Sequence, residues 1–133
     1  MNNFTATLGL RRVLMGNALF STGCALVSLL FAESVAIAMG LSYPQDLRVL
    51  GGALIVFAAG VAFLARRPVS PLPAWSVWSV IIADAIWVLG SVSALVSESA
   101  PFTSLGQFVI ATVAAIVGTF AVLQVRFQAQ SRS

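Results

Sequence analysis

The sequence predicts an all-α polytopic membrane protein, a bundle of four transmembrane helices, and three observations predict it. Of its 133 residues, 59% are hydrophobic and only 8% charged, where a soluble domain carries about 25%. The apolar residues gather into four runs near 13–31, 47–64, 74–96 and 105–125. Each is about 18 to 23 residues long, enough at about 1.5 Å per residue to cross about 30 Å of hydrocarbon. Finally, the charges segregate with the spans: Arg11, Arg12, Arg66, Arg67, Arg126 and Arg132 fall on one side of a four-span chain, and Glu33, Asp46 and Glu98 on the other.

That segregation places both termini in the cytoplasm by the positive-inside bias. Only Arg48 breaks it, by sitting at the outer side. The abundance of Ala and Arg without Lys suggests a bacterial chain, and hence a multi-pass protein of the bacterial inner membrane.

Several function classes are excluded at the outset. A net charge of +3, spread over dispersed arginines, makes no nucleic-acid surface. There is no His and a single Cys, Cys24, so neither imidazole chemistry nor an internal disulfide is available. Four scattered acids cannot assemble a transition-metal site. No Ser/His/Asp set, paired intramembrane carboxylates or phosphate loop is present, which argues against an enzyme and implies no cofactor.

The first span, 13–31, follows Arg11-Arg12 and contains Asn17, Ser21, Thr22 and Ser28. A lipoprotein signal ending at Cys24 fits poorly, because Ser21 stands where Leu or Val is wanted and the residues after Cys24 are apolar. The connection from Glu33 to Gln45 carries an apolar stretch, 35–41, expected to lie as a short interfacial helix. Pro44 opens the second helix, where a missing N–H costs nothing. Arg66-Arg67-Pro68 closes it, and the Pro-rich segment 68–73 turns the chain back. Trp75 and Trp78 anchor the start of the third span, and Arg126 ends the fourth.

One internal repeat stands out. Asn17-Ala18-Leu19-Phe20-x-x-Gly23 in span one matches Asp84-Ala85-Ile86-Trp87-x-x-Gly90 in span three. Two parallel helix pairs related by an axis along the membrane normal would produce it, as would chance among helices built from few residue types. If the repeat is real, Asn17 and Asp84 lie at one depth and face a common axis.

Asp84 is the residue that most needs an explanation, since a carboxylate inside an apolar span costs kilocalories unless paired, protonated or wet. At helical spacing it begins a stripe of Asp84, Trp87, Ser91 and Glu98, which would suit a polar cavity open to the outside. The plainer reading is that Ser91 bonds back to its own helix, Glu98 is solvated and Trp87 fills space. Arg48, about one turn inside the second helix, is the first candidate to pair with Asp84. Alternatively it reaches outward to Asp46 or Glu98. Asn17 is a further donor. Small residues, among them Gly16, Gly23, Gly52, Ala59, Gly90 and Gly118, supply faces for close helix packing.

Taken together, Arg11-Arg12 ahead of Asn17-Ala18-Leu19-Phe20, the segment Leu47-Arg48-Val49-Leu50-Gly51, and Ala83-Asp84-x-x-Trp87-Val88-x-Gly90-Ser91 resemble small uncharacterised four-helix bacterial inner-membrane proteins. Size and layout are also similar, in architecture alone, to DoxX-like membrane proteins. These resemblances imply a four-helix fold and no particular activity. The small multidrug exporters place an essential Glu in their first helix, where this chain has Asn17. The glycine-rich opening and Phe-bearing third helix of the fluoride channels are not recognisable here.

Two functional expectations follow. The first is a non-catalytic membrane component in which a buried site of Asp84, Arg48, Asn17, Trp87 and Ser91 fixes the bundle while the protein binds lipid, a membrane-protein partner or a second copy. The alternative is a small dimeric carrier in which Asp84 exchanges a proton or cation.

Overall fold

A computed structural model describes residues 2–97 and 99–132. Glu98, the last member of the stripe through Asp84, lies outside the described residues. Among those residues the chain is all-helical: α1 (Asn3–Leu30), α2 (Ala32–Met39), α3 (Pro44–Arg66), α4 (Ala74–Val96) and α5 (Ser104–Ser131). α1, α3, α4 and α5 are each long and apolar enough to cross a membrane. They correspond to the four expected spans, but α1 begins ten residues before position 13 and α5 runs six past 125. At 28 residues each, these two helices are about 42 Å long and overhang a hydrocarbon core of about 30 Å.

Local chemistry sets the helix ends. The Asn2 side chain accepts from Thr5 N at 2.8 Å to start α1, and Thr103 Oγ1 accepts from Gly106 N at 3.0 Å to start α5. Both satisfy donors that a first turn leaves unpaired. Pro44 occupies the first position of α3. Within the spans, Thr22, Ser79, Ser91, Thr112 and Thr119 each donate to the carbonyl four residues back, so these hydroxyls need no partner from lipid.

α1 packs along both α3 and α5, and α5 packs along α4, while α3 and α4 barely meet. α1 and α4 stand diagonally across the bundle, with no close backbone approach among the described residues. Three of the four seams are therefore closed or partly closed, and the α3–α4 seam is open.

The two ends of the bundle are tied differently. At the end holding the termini, Arg11 donates to the carbonyls of Ala65 (2.8 Å), Arg67 (2.6 Å) and Val69. It thereby caps the C-terminus of α3, where unpaired carbonyls favour a cation. Arg132 Nη2 donates to Leu72 O at 2.6 Å. These two arginines, read in the sequence only as markers of orientation, also serve as struts.

At the opposite end α2 caps the bundle, starting and ending slightly ahead of the expected 35–41. It buries Ala32 and Ala36 against Leu47 of α3 and leaves Ile37 exposed. Its last turn locks onto the entrance of α5, where Thr103 N donates to Met39 O at 3.0 Å and Thr103 Oγ1 to Ala38 O at 2.6 Å. Gly40 closes α2 with φ +82°, and Leu41 N donates back to Ala36 O at 2.8 Å, a six-to-one closure typical of glycine-terminated helices.

The close approaches of helix to helix fall on glycines other than most of those expected. A Cβ on Gly51 would lie 2.7 Å from Leu29 Cγ, and one on Gly106 would lie 2.7 Å from Met39 O. Gly23, Gly52 and Gly90 have nothing within 4 Å of such an atom. The expected small-residue faces at these three positions are not seams: Gly23 and Gly90 border an open space between helices, and Gly52 faces away from the α1–α3 contact that its neighbour Gly51 makes.

Gly40 should therefore be the least replaceable glycine. Its left-handed φ costs an ordinary residue about 1–2 kcal/mol, and an added Cβ would sit 2.5 Å from Pro101 O. Gly40→Ala is expected to lower the unfolding free energy by at least that amount in denaturant titration in micelles. Gly23→Ala should leave stability unchanged or raise it by about 0.5–1 kcal/mol, the helix-propensity difference.

Candidate functional site

The bundle is packed solid in one half and hollow in the other. Towards the termini, Leu10 and Leu14 of α1, Val61 and Leu64 of α3, and Val77 and Ile81 of α4 form one buried apolar cluster. Leu72, from the α3–α4 connection, plugs it from below. Towards α2 small residues, Gly23, Cys24, Ala83, Gly90 and Ala94, are interspersed among larger apolar ones such as Leu50, Leu54 and Ile110. They leave a cavity of about 840 Å³, roofed by Val35 and Met39 of α2. A second cavity of about 280 Å³ reaches deeper, to Asp84 and Ser21. The two share Phe20, Cys24, Leu50, Leu54, Trp87 and Val113 among their walls, and together they make a cup whose floor is Asp84.

Asp84 is 3% exposed and near the middle of α4. Its partner is Asn17, fully buried on α1, whose Nδ2 donates to Asp84 Oδ2 at 2.7 Å. Ser21, one turn further along α1, donates its hydroxyl to Asn17 Oδ1 at 3.2 Å. That bond holds the amide with its NH₂ group towards the acid. The side chain of Gln124 on α5 also comes up to the Asp84 carboxyl, with neither of its amide atoms in full hydrogen-bond geometry.

Arg48 does not join this site. Its Nη2 lies 3.5 Å from Glu33 Oε1 and its Nη1 3.5 Å from Gln45 Oε1, so the expected Asp84–Arg48 pair is absent. The reason is geometric and energetic. The α3 residues that border the cavity at Asp84, Leu50, Ala53, Leu54 and Phe57, run inward from Arg48, while an exposed acid stands beside Arg48 at the solvated end. The side chain reaches outward, to Glu33 and Gln45 rather than to Asp46; Glu98, the other acid expected there, lies outside the described residues. With both side chains largely exposed, this ion pair contributes about 0–1 kcal/mol.

Of the other expected site residues, Trp87 lines both cavities, and its indole Nε1 is buried without an acceptor. Ser91 lines the larger cavity, with its hydroxyl turned back to Trp87 O at 2.8 Å. The two halves of the sequence repeat meet across the cup: Asn17 faces Asp84, Phe20 and Trp87 stand on the walls, and Gly23 and Gly90 line the upper part. A strict twofold would make the α1–α5 and α4–α3 seams alike. They are not, since α1 and α5 are drawn together, with the Phe20 and Phe120 rings 6.1 Å apart, and α3 and α4 are splayed.

Sequence reasoning missed Gln124, Gln128 and Ser131, all buried on α5. The signal was present in the i, i+4, i+7 spacing of polar residues at the end of an apolar helix. No cluster of potential metal ligands occurs among the described residues. Comparison with protein-family models, curated proteins and solved structures finds no match to this chain.

The geometry fixes which pairs of substitutions should interact. Asn17→Leu or Asp84→Leu alone leaves a buried polar partner unpaired, at a cost of about 1–3 kcal/mol. A double-mutant cycle in bicelles should give a coupling of about 0.6 kcal/mol, the average for side-chain hydrogen bonds within membranes, and no more than about 1.7 kcal/mol. Arg48→Ala combined with Asp84→Leu should instead be additive.

Proposed function

We propose that the chain is a non-catalytic protein of the bacterial inner membrane that holds an apolar, lipid-class ligand in the cup between its four spans. Asp84 and Asn17 form the polar anchor at its base. The observation that carries this reading is the cup itself. Its larger chamber, about 840 Å³, falls within the range of about 300–1,000 Å³ usual for small-molecule sites. Its walls are almost wholly apolar, and a few polar groups converge at one end.

The open α3–α4 seam adds a route of entry. A water-soluble ligand would have to cross or displace the α2 cap, whereas a membrane-dissolved one can slip between α3 and α4 from the bilayer. The matching ligand has an apolar body with a hydrogen-bonding end, the body filling the chamber and the end reaching Asp84. The arginine-bearing end, with both termini, faces the cytoplasm in this reading, and the cup opens towards the outer leaflet. The exposed apolar surface of the spans contacts lipid, a membrane-protein partner or a second copy.

One observation favours a second reading, a small proton- or cation-coupled carrier. Asp84 has no cationic partner among the described residues: its hydrogen-bond donor is a neutral amide, and Arg48 is engaged elsewhere. An acid without a fixed counter-ion can exchange its proton or cation as a cargo comes and goes.

The two readings separate on one experiment. Protein taken from its native membrane into nanodiscs should carry an apolar molecule at about one per chain, detectable by native mass spectrometry and organic extraction. Gly23→Leu together with Gly90→Leu, which fill the chamber at two positions with no neighbouring atoms within 4 Å, should remove it without loss of helix content. Purification of a folded protein with no apolar molecule, or equal retention in the filled variant, would overturn the lipid-binding reading.

A further inference from the structure

Beneath the floor of the cup, on the side away from the chamber, α5 carries three buried polar residues on one face. Gln124 is 0%, Gln128 2% and Ser131 3% exposed. Their i, i+4, i+7 spacing stacks them in a line, about 10 Å from first to last at 1.5 Å per residue. Both side-chain amide atoms of Gln128 are buried without a hydrogen-bond partner, and those of Gln124 are buried beside the Asp84 carboxyl without full hydrogen-bond geometry. Ser131 donates its hydroxyl back to Gln128 O at 2.9 Å, as Ser91 does to Trp87 O, whereas the two glutamine amides make no such bond within their helix.

The line has two defined ends. At the top, Gln124 comes up to Asp84. At the bottom, Ser131 lines a polar recess of about 450 Å³ at the end that holds the termini, together with Asn3, Thr7, Ser70 and Arg132. Two glutamines of this kind are costly inside an apolar bundle, since each unpaired amide group forfeits its hydration. A pair of leucines would fill the space without that cost. Amides also offer both donors and acceptors in close succession, which suits the ordering of small polar molecules with two to four partners each.

We propose that Gln124, Gln128 and Ser131 form a water-binding column through which Asp84 exchanges protons with the arginine-bearing face of the membrane. The inference does not depend on what fills the cup above. A proton arriving as hydronium at the recess is passed along the column waters and taken by the Asp84 carboxylate, leaving water behind; the reverse step returns it. No charge is left in the column at either end of the exchange.

The groups that could compete for that proton are few. On α1 the only titratable side chain beside the cup is Cys24. α3, α4 and α5 contribute no other titratable or charged side chain to the two cavities. At the mouth of the recess stands Arg132, which donates to Leu72 O, and Arg126 points outward. The chamber side, with apolar walls, provides no comparable line of polar groups.

The Asn17 side-chain amide, hydrogen-bonded to Asp84 and outside the column, is the reporter. Its hydrogen–deuterium exchange can be followed by NMR in ¹⁵N-asparagine-labelled protein in nanodiscs transferred to D₂O. Gln124→Leu with Gln128→Leu should slow Asn17 exchange about tenfold or more, because water must then reach Asp84 through a transient opening of the packed half. Gln124→Asn with Gln128→Asn, which keeps the amides, should retain most of the original rate. Ser91→Ala, on the chamber side, should not slow it. The double leucine variant is expected to be as stable as the parent, and Gln128→Leu alone provides a milder interruption with the same direction of effect. Exchange at the parental rate in folded leucine variants, or slowing by Ser91→Ala instead, would overturn the column. Bound lipid in the cup would remain measurable separately.

Discussion

The interaction on which the rest of the structure depends is the hydrogen bond from Asn17 to Asp84. It joins two helices whose backbones do not approach closely, across the diagonal of a bundle whose hydrocarbon surroundings offer no water to compensate a missing partner. Apolar contacts alone discriminate weakly between helix registers in lipid, because lipid tails are as apolar as leucine. A buried acid and amide do discriminate: sliding α4 by one turn past α1 would bury both unpaired. Ser21 extends the constraint by fixing which way the Asn17 amide points. The level of this bond then divides the bundle, with large branched side chains filling the space towards the termini and glycine, alanine and cysteine leaving it open towards α2.

This division also explains why the cup does not collapse. Closing α3 onto α4 would need the residues at the packed end, Val61, Leu64, Val77, Val80 and Ile81, to yield volume, and cores resist overpacking by about 1–3 kcal/mol. At the other end α2 braces the entrance by holding the first turn of α5 through Thr103 and Gly106. The cup is thus propped at its base by side-chain size and at its rim by backbone hydrogen bonds. Arg11 and Arg132 tie the terminal end by donating to carbonyls of the last turn of α3 and of the α3–α4 connection, so that its rigidity does not rest on apolar packing alone.

The fold was legible because hydrocarbon imposes its dimensions on the sequence. Four apolar runs, a proline at a helix start and arginines at helix ends are consequences of length and solvation, which act locally along the chain. Asp84 was legible for the same reason, as a charge where the solvent forbids one. Its partner was only half legible. The repeat pointed to Asn17, while the usual preference for opposite charges pointed to Arg48, and the second inference failed because Glu33 lies in a helix whose position is tertiary information. The stripe through Asp84 pointed to a polar cavity, whereas the chamber is lined almost wholly by apolar residues, and its extent could not be read, since Gly23 and Gly90 look alike whether they serve a tight seam or an open space. Gln124 and Gln128 were readable by spacing but fall where span four was expected to end, and their burial follows from α5 continuing to Ser131.

The most direct measurement of the central bond is a dipolar-recoupling solid-state NMR experiment on the protein in bilayers, with ¹⁵N in the asparagine side chains and ¹³C in the aspartate carboxyls. A nitrogen 2.7 Å from a carboxyl oxygen predicts strong dephasing of one aspartate carboxyl, which Asn17→Leu abolishes and Arg48→Ala leaves unchanged. Absence of dephasing at Asp84, or dephasing that survives the loss of Asn17, would contradict the account.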